Sequence, residues 1–294
     1  MNLQEVDGLS NFNCRICGGG RAAFYCHVKD DTSRNTGLEF DYVRCEGCGT
    51  LSLDPLPTPE QSRMANESLL GITRKGSSFD KRYTPEYRET LRNEYRLTFN
   101  DLEFNLKPPS AGASCLDFGC AIGSALDVLA DNGWETYGCD ISEQLTALAD
   151  RQQHRIFTGE LDQLPGDWGP FDLVVTIEVL EHLQHPRETL HRLISLLKPG
   201  GTLITETPQV GLLAELYGED WRVLAGLDHI HLLTRETQIG VIEDFGCRVE
   251  ATSSFGSGCT MGLVPPHIKR AFDTLVKRQN IGDFLAIRAT KIEV

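Results

Sequence analysis

Basic side chains are scarce in this 294-residue chain: 28 Lys and Arg stand against 42 Asp and Glu, a formal net charge of -14. Gripping a nucleic acid requires clustered Lys and Arg to displace phosphate counterions, so this balance argues against a nucleic-acid substrate. The deficit is uneven. Residues 1–60 hold five basic and nine acidic side chains, residues 61–110 nine and seven, and residues 111–294 fourteen and twenty-six. No run of eighteen apolar residues occurs, so no membrane insertion is expected. The first eight residues, M-N-L-Q-E-V-D-G, offer neither a basic start nor an apolar stretch, and a cytoplasmic protein is expected. Thiols stay reduced there, so the ten cysteines are not expected to form disulfides. The dinucleotide signature G-x-G-x-x-G is also missing at the one place where a strand feeds a glycine turn.

That place is residues 114–123, S-C-L-D-F-G-C-A-I-G. A short apolar run ends in Asp117, turns through Gly119, Cys120, Ala121 and Gly123, and enters the helix-like stretch 124–130. Backbone N–H groups at such a helix start point toward a ligand. Ala121 stands where a pyrophosphate site would want a glycine, and Asp117 disfavours phosphate while favouring an ammonium group. Further segments follow in order. Residues 134–140, W-E-T-Y-G-C-D, read as a second strand ending in Asp140, a carboxylate suited to ribose hydroxyls. Residues 171–177, F-D-L-V-V-T-I, are apolar enough for a buried parallel strand, and they run into E-V-L-E-H-L at 178–183. Pro199 and Gly200 stop a helix before another apolar run at 202–205.

In this order, D-x-G-x-x-x-G and the segments after it resemble the class I S-adenosylmethionine-dependent methyltransferases. The resemblance implies an α/β fold with a Rossmann-like seven-stranded sheet and S-adenosylmethionine as cofactor. It implies Asp117, Gly119, Cys120, Ala121 and Gly123 at the methionine end, and Asp140 with Ile141 at the ribose. Glu160 and Leu161, in the loop at 159–165, are implied at the adenine, and Ile177 and Glu178 beside the sulfonium. A tyrosine from the preceding segment, Tyr83 or Tyr87, is implied over the methionine end.

Two C-x-x-C-G knuckles, Cys14/Cys17 and Cys45/Cys48, are separated by twenty-seven residues. Four thiolates suit a closed, structural zinc site, and the glycine after each pair permits a left-handed turn. Residues 21–26 and 39–44 alternate as ribbon strands do. Cys26 and His27 are weaker alternatives as ligands. Cys115, Cys120, Cys139, Cys247 and Cys259 read as small buried hydrophobes.

The expected organisation is a zinc ribbon at 1–57, a connecting helical segment at 58–110 and a methyltransferase domain at 111–294. The connecting helix is expected between residues 77 and 106, ended by Pro108-Pro109. Residues 207–228 form a long connection of the kind that makes lids. With a helix near 267–279 it is expected to shape an acceptor pocket, and residues 249–253 and 283–291 are expected to close the sheet as antiparallel strands. Methyl transfer consists mainly of alignment, helped by a base when the acceptor must lose a proton. Candidate residues are His182 with Glu181, and His229 or His231. A helical turn would set Glu178 and His182 on one face. Histidine spacing matches no common zinc motif, so no metal role is expected there. The expected function is C- or O-methylation of a small-molecule acceptor. The rivals are an RNA base methyltransferase that uses the ribbon to grip RNA, and a non-catalytic binding subunit. Acceptor identity and oligomeric state are not legible.

Overall fold

The computed structural model describes residues 12–29, 38–62, 83–256 and 266–293. The three ribbon strands are β1 (Ala22–Lys29), β2 (Glu39–Cys45) and β3 (Leu51–Asp54), joined as antiparallel neighbours. Both knuckles close through glycine as their sequence requires: Gly18 and Gly49 have φ of 74° and 73°. Helix α1 (Pro85–Asp101) starts at Thr84, whose hydroxyl accepts from Tyr87 N at 3.2 Å, with Pro85 in the first turn. It stops well before Pro108-Pro109. Glu103 takes a positive φ of 51° and Phe104 N returns to Phe99 O, a left-handed cap that ends the helix without proline. The earlier residues expected in this helix, 77–82, lie outside the described residues.

The main sheet is built from β4 (Ser114–Phe118), β5 (Glu135–Asp140), β6 (Arg155–Thr158), β7 (Phe171–Ile177), β8 (Leu197–Val210), β10 (Cys247–Phe255) and β11 (Phe284–Lys291). Its order is β6-β5-β4-β7-β8-β11-β10. The first five are parallel, and β11 runs antiparallel to both β8 and β10. This is the expected seven-stranded sheet, closed by the expected last pair. Apolar side chains from both faces bury against helices, among them α2 (Ser124–Ala130) and α4 (Pro186–Ser195), with the one-turn α3 (Glu143–Thr146) between them in the chain. Among the described residues, no helix is long and apolar enough to cross a membrane.

Strand β8 outruns its neighbours. Its last residues, Gln209 and Val210, pair in parallel with β9 (His231–Thr234), and β9 pairs antiparallel with ribbon strand β3. The ribbon therefore continues the main sheet rather than hanging from it. Residues 207–228 are accordingly not an open connection: they finish β8, form α5 (Leu212–Tyr217) and bury Trp221 to 1% exposure. Trp221, Val223 and Leu227 share one core with Tyr42, Leu51 and Leu53 of the ribbon. A lid needs a face that can leave; this segment is held on both sides. After β9, Thr234 caps α6 (Arg235–Asp244), and α7 spans Pro266–Gln279. Of the cysteines read as buried hydrophobes, Cys115, Cys120, Cys139 and Cys247 are all buried, while Cys259 lies outside the described residues.

Candidate functional site

The carboxyl ends of the parallel strands carry the residues singled out above, at the switch point between β4 and β7 where open α/β sheets bind ligands. At Gly119 (φ 83°) a Cβ would sit 2.2 Å from Val179 Cγ2, so only glycine lets the turn after β4 approach the turn after β7. The turn is pinned to β5 by Gly119 N and Cys120 N, both donating to Cys139 O. Gly123, at φ 80°, opens α2. Ala121 N donates to Asp140 Oδ2 at 2.9 Å and Ser142 N to Oδ1 at 2.8 Å. Asp140 is thus fixed in orientation by two amides; burial raises its pKa and those N–H bonds oppose the rise. Asp117 is buried at 4% exposure, and desolvation, then the charge of Asp140, push its pKa up to about 7. Beside them Ile141 is 53% exposed, an apolar side chain set next to the expected ribose carboxylate. Glu160 heads a short 3-10 turn, Leu161–Gln163, and its N–H donates to Gln163 Oε1.

No helical turn joins Glu178 to His182. Glu178 has a positive φ of 55° and donates its N–H to Glu206 O, and a 3-10 turn follows at Leu180–His182. The Glu178 side chain is open to solvent yet hemmed in by protein, as in a concavity. Desolvation and the charges of Glu181, Glu206 and Asp228 raise its pKa well above the carboxylate range, against a smaller opposing pull from Arg222. Burial likewise pushes Glu206 up to about 7, although Thr98 Oγ1 of α1 donates to its Oε2 at 2.8 Å. Tyr95, also on α1, has a raised hydroxyl pKa through desolvation and then the charges of Asp117, Glu206 and Glu178. Of Tyr83, Tyr87 and Tyr95, it is Tyr95 that shares the field of the cleft carboxylates. Tyr83 packs edge to face on Tyr87, at the other end of the helix. Neither Tyr95 nor Glu206 was singled out from the sequence; the signal was the α1 spacing, which sets Tyr95 and Thr98 on one face.

Around Glu181 the fold gathers residues from distant segments. Glu181 is fully buried, and its Oε2 accepts from Thr207 Oγ1 at 2.7 Å. His182 Nε2 stands 3.7 Å from Glu181 Oε1, while Nδ1 hydrogen-bonds the carbonyl of Asp228. His229 Nδ1 bonds Val223 O at 2.7 Å, and its ring centroid lies 5.3 Å from that of His182. Desolvation and the neighbouring His182 lower the pKa of His229. Tyr42 of the ribbon donates to His229 O at 2.6 Å, and Ile230 N donates to Glu181 O at 2.7 Å. His231 is turned elsewhere. It is buried in β9 with Nδ1 2.8 Å from Ser52 Oγ, and burial lowers its pKa to about 4, which keeps it neutral. The candidate base set divides accordingly: Glu181, His182 and His229 converge, and His231 belongs to the contact with the ribbon.

A second cluster lies in the ribbon. Sγ atoms of Cys14, Cys17, Cys45 and Cys48 all lie within 4.8 Å of one another. A Cβ at Gly19 would sit 3.2 Å from Cys17 Sγ, and one at Gly47 3.4 Å from the same atom, so glycine lets both knuckles close around the sulfurs. Cys26 and His27 are not among these ligand atoms; His27 instead pairs with Asp41 at 2.7 Å. Four convergent thiols are a donor set suited to zinc.

Residues 87–252, more than half of the chain, match the family described as methyltransferase domain. Over 133 residues the chain is 32% identical to the ubiquinone biosynthesis O-methyltransferase of Coxiella burnetii, a match covering 43% of this chain and 55% of that one. The chain thus spans about half the length of this curated relative. Among solved structures it resembles a chain of the complex between the Haloferax volcanii Trm112 methyltransferase activator and the putative methyltransferase. The TM-score is 0.54 at 19% identity, covering 75% of this chain and 100% of that one. Magnesium protoporphyrin IX methyltransferase from Synechocystis, solved with bound SAH, gives a TM-score of 0.50 at 19% identity over 78% of this chain and 95% of that one. These likenesses establish the fold as the class I methyltransferase sheet.

Proposed function

The chain belongs to the methyltransferase-domain family, and from that premise we propose that it methylates a hydroxyl of a small-molecule acceptor with S-adenosylmethionine as donor. The observation that carries this reading is the pair Asp117 and Asp140, on adjacent parallel strands at either side of a glycine turn. The cofactor supplies a methyl group on a sulfonium, an electrophile that also carries an ammonium group and a ribose. Asp117 receives the ammonium, Asp140 the ribose hydroxyls, and Ile141 and Leu161 flank the adenine beside Glu160. Glu178 and Glu206 line the middle of the cleft as carboxyls whose ionised form a bound sulfonium would favour, and they offer a phosphate no partner. The acceptor enters on the side of His182, and its proton is handled by the Glu181–His182–His229 group. O-methylation is preferred over C-methylation because the curated relative is named an O-methyltransferase. In the ribbon, Cys14, Cys17, Cys45 and Cys48 hold a structural zinc ion.

The test is a calorimetric titration with S-adenosylhomocysteine, followed by a radiolabelled methyl-transfer screen against phenols, catechols and nucleotide sugars. One-to-one binding and labelling of a hydroxyl compound are expected. Absence of binding heat, together with uptake of a nicotinamide or flavin compound, overturns the reading.

A further inference from the structure

Trp221 and Arg222 both turn toward Asp283, whose carboxylate is buried where β8 ends and β11 begins. Trp221 Nε1 donates to Asp283 Oδ1 at 2.7 Å, and Gln209 N donates to the Asp283 carbonyl at 2.7 Å. Arg222 Nε stands 3.7 Å from Oδ2, outside hydrogen-bond reach, and its guanidinium carbon lies over the Phe284 ring, 5.8 Å from the centre. The side chain is 37% exposed, and its terminal nitrogens make no hydrogen bond among the described residues. We propose that Arg222 selects the acceptor by gripping an acidic oxygen group, a carboxylate or a phosphate, on the molecule whose hydroxyl is methylated. The inference deepens the methyl-transfer reading and rests on it.

An arginine kept only to balance Asp283 would turn its two terminal nitrogens onto that carboxylate. Here Asp283 takes the indole N–H and a more distant Nε, so the far side of the guanidinium is left for a ligand. A planar guanidinium presents paired N–H groups at the spacing of two carboxylate or phosphate oxygens, which an ammonium does not. Its charge also reaches the cleft. After desolvation, the charges of Glu181, Glu206 and Asp228 raise the pKa of Glu178, and Arg222 is the cation that opposes them. Those same carboxylates repel an acid that is not paired with Arg222, which makes binding of an anionic acceptor depend on this one side chain.

Strand order puts that anion with the acceptor rather than with the cofactor. Asp117 and Asp140 belong to β4 and β5, whereas β8 and β11 lie beyond β7, on the side away from β5. Val223, next in the chain, accepts from His229 Nδ1 at 2.7 Å, so the guanidinium and one member of the proton-handling group are tied through a single short segment. An acceptor anchored at Arg222 reaches His182 and His229 with its hydroxyl.

The test uses full-length protein saturated with S-adenosylhomocysteine and titrated by calorimetry with phenylacetate, phenyl phosphate and the neutral alcohol phenylethanol. One of the two acids is expected to bind once per chain, at least about tenfold more tightly than the alcohol, as for hydrogen bonds to a charged group. The acid that binds more tightly names the group as carboxylate or phosphate. Arg222→Gln should remove the preference for the acid, and Arg222→Lys should restore only part of it, since the charge returns without the paired N–H groups. S-adenosylhomocysteine affinity should be unchanged in both variants, and circular dichroism establishes that they are folded. Failure of both acids to bind the wild type, or equal acid affinity in folded Arg222→Gln, overturns the proposal. So does a parallel loss of S-adenosylhomocysteine affinity in Arg222→Gln, which would assign the guanidinium to the carboxylate of the cofactor. Normal S-adenosylhomocysteine heat with the wild type leaves the methyl-transfer reading standing in each of these cases, whereas missing heat sinks that reading itself.

Discussion

Around Asp117 and Asp140 the cleft is assembled from residues 114–142, one strand–helix–strand unit whose parts are neighbours in sequence. Around Glu181 and His229 it is assembled from the turn after β7, the end of β8, the segment before β9 and, behind them, the ribbon. The first half is held by its own backbone: amides of Ala121 and Ser142 hold Asp140. The second is held by contacts between distant segments, with Tyr42 on His229 O, Leu53 N on Ile230 O and Ser52 on His231. Disturbing the ribbon should therefore spare cofactor binding and damage acceptor chemistry, and disturbing the glycine turn should do the reverse.

The largest effect should come from the cysteine knuckles. With the proposed zinc bound, a ribbon of this kind would draw most of its folding free energy from the metal, an apparent ~10 kcal/mol or more. Cys45→Ser, or chelation of the wild type, is expected to lower turnover at least about a hundredfold, because small displacements of acceptor-side groups cost that much. S-adenosylhomocysteine affinity, read by calorimetry, should move little; parallel loss of both would mean that the two halves are not separable. Asp140→Ala tests the other side. Losing a charged acceptor of hydrogen bonds costs about 2 kcal/mol, roughly thirtyfold in S-adenosylhomocysteine affinity. Unchanged affinity would remove the ribose assignment.

The acidity of Asp117 gives an intermediate test. With its pKa raised to about 7 in the fold, it binds a proton that the unfolded chain has already released, so this group makes the unliganded protein lose stability as pH rises toward 7. Glu206, also raised to about 7, acts in the same direction. An ammonium ligand needs the ionised form of Asp117. Affinity for S-adenosylhomocysteine should accordingly fall about tenfold per unit as pH drops below 7, with proton release seen when calorimetry is repeated in buffers of different ionisation enthalpy. A flat profile would move the ammonium contact away from Asp117. The smallest effect is expected for Tyr42→Phe, which removes one hydrogen bond to His229 O worth about 1 kcal/mol. Turnover should drop several-fold with cofactor affinity unchanged; equal losses in both would sink the separation.

Legibility in the sequence follows the same division. Residues 114–142 could be read because a strand, a glycine turn and a carboxylate lie within one short stretch, where spacing nearly determines geometry. The knuckles were readable for the same reason, since C-x-x-C-G fixes two sulfurs and a left-handed turn locally. Tyr95 was not singled out beside Tyr83 and Tyr87, since which side chains of α1 lie near Asp117 and Glu206 depends on how that helix packs on the sheet. Residues 207–228 looked like a lid because nothing local announces that β8 overshoots its neighbours and that β9 pairs on to β3. His229 and His231, two positions apart, looked interchangeable, and within one strand they would share a face; but β9 begins only at His231, and the bend at Ile230 leaves His229 at Glu181 while His231 meets Ser52.

The amino-acid order alone determined the strand and helix segments, the glycine turn with its flanking carboxylates and the two cysteine knuckles, because each depends on interactions within a few residues. Only the tertiary structure decided that the ribbon is built into the main sheet and that Glu181, His182 and His229 face one another. Those meetings are between segments far apart in the chain, brought together by burial of a shared apolar core and by strand pairing, and no local spacing records them.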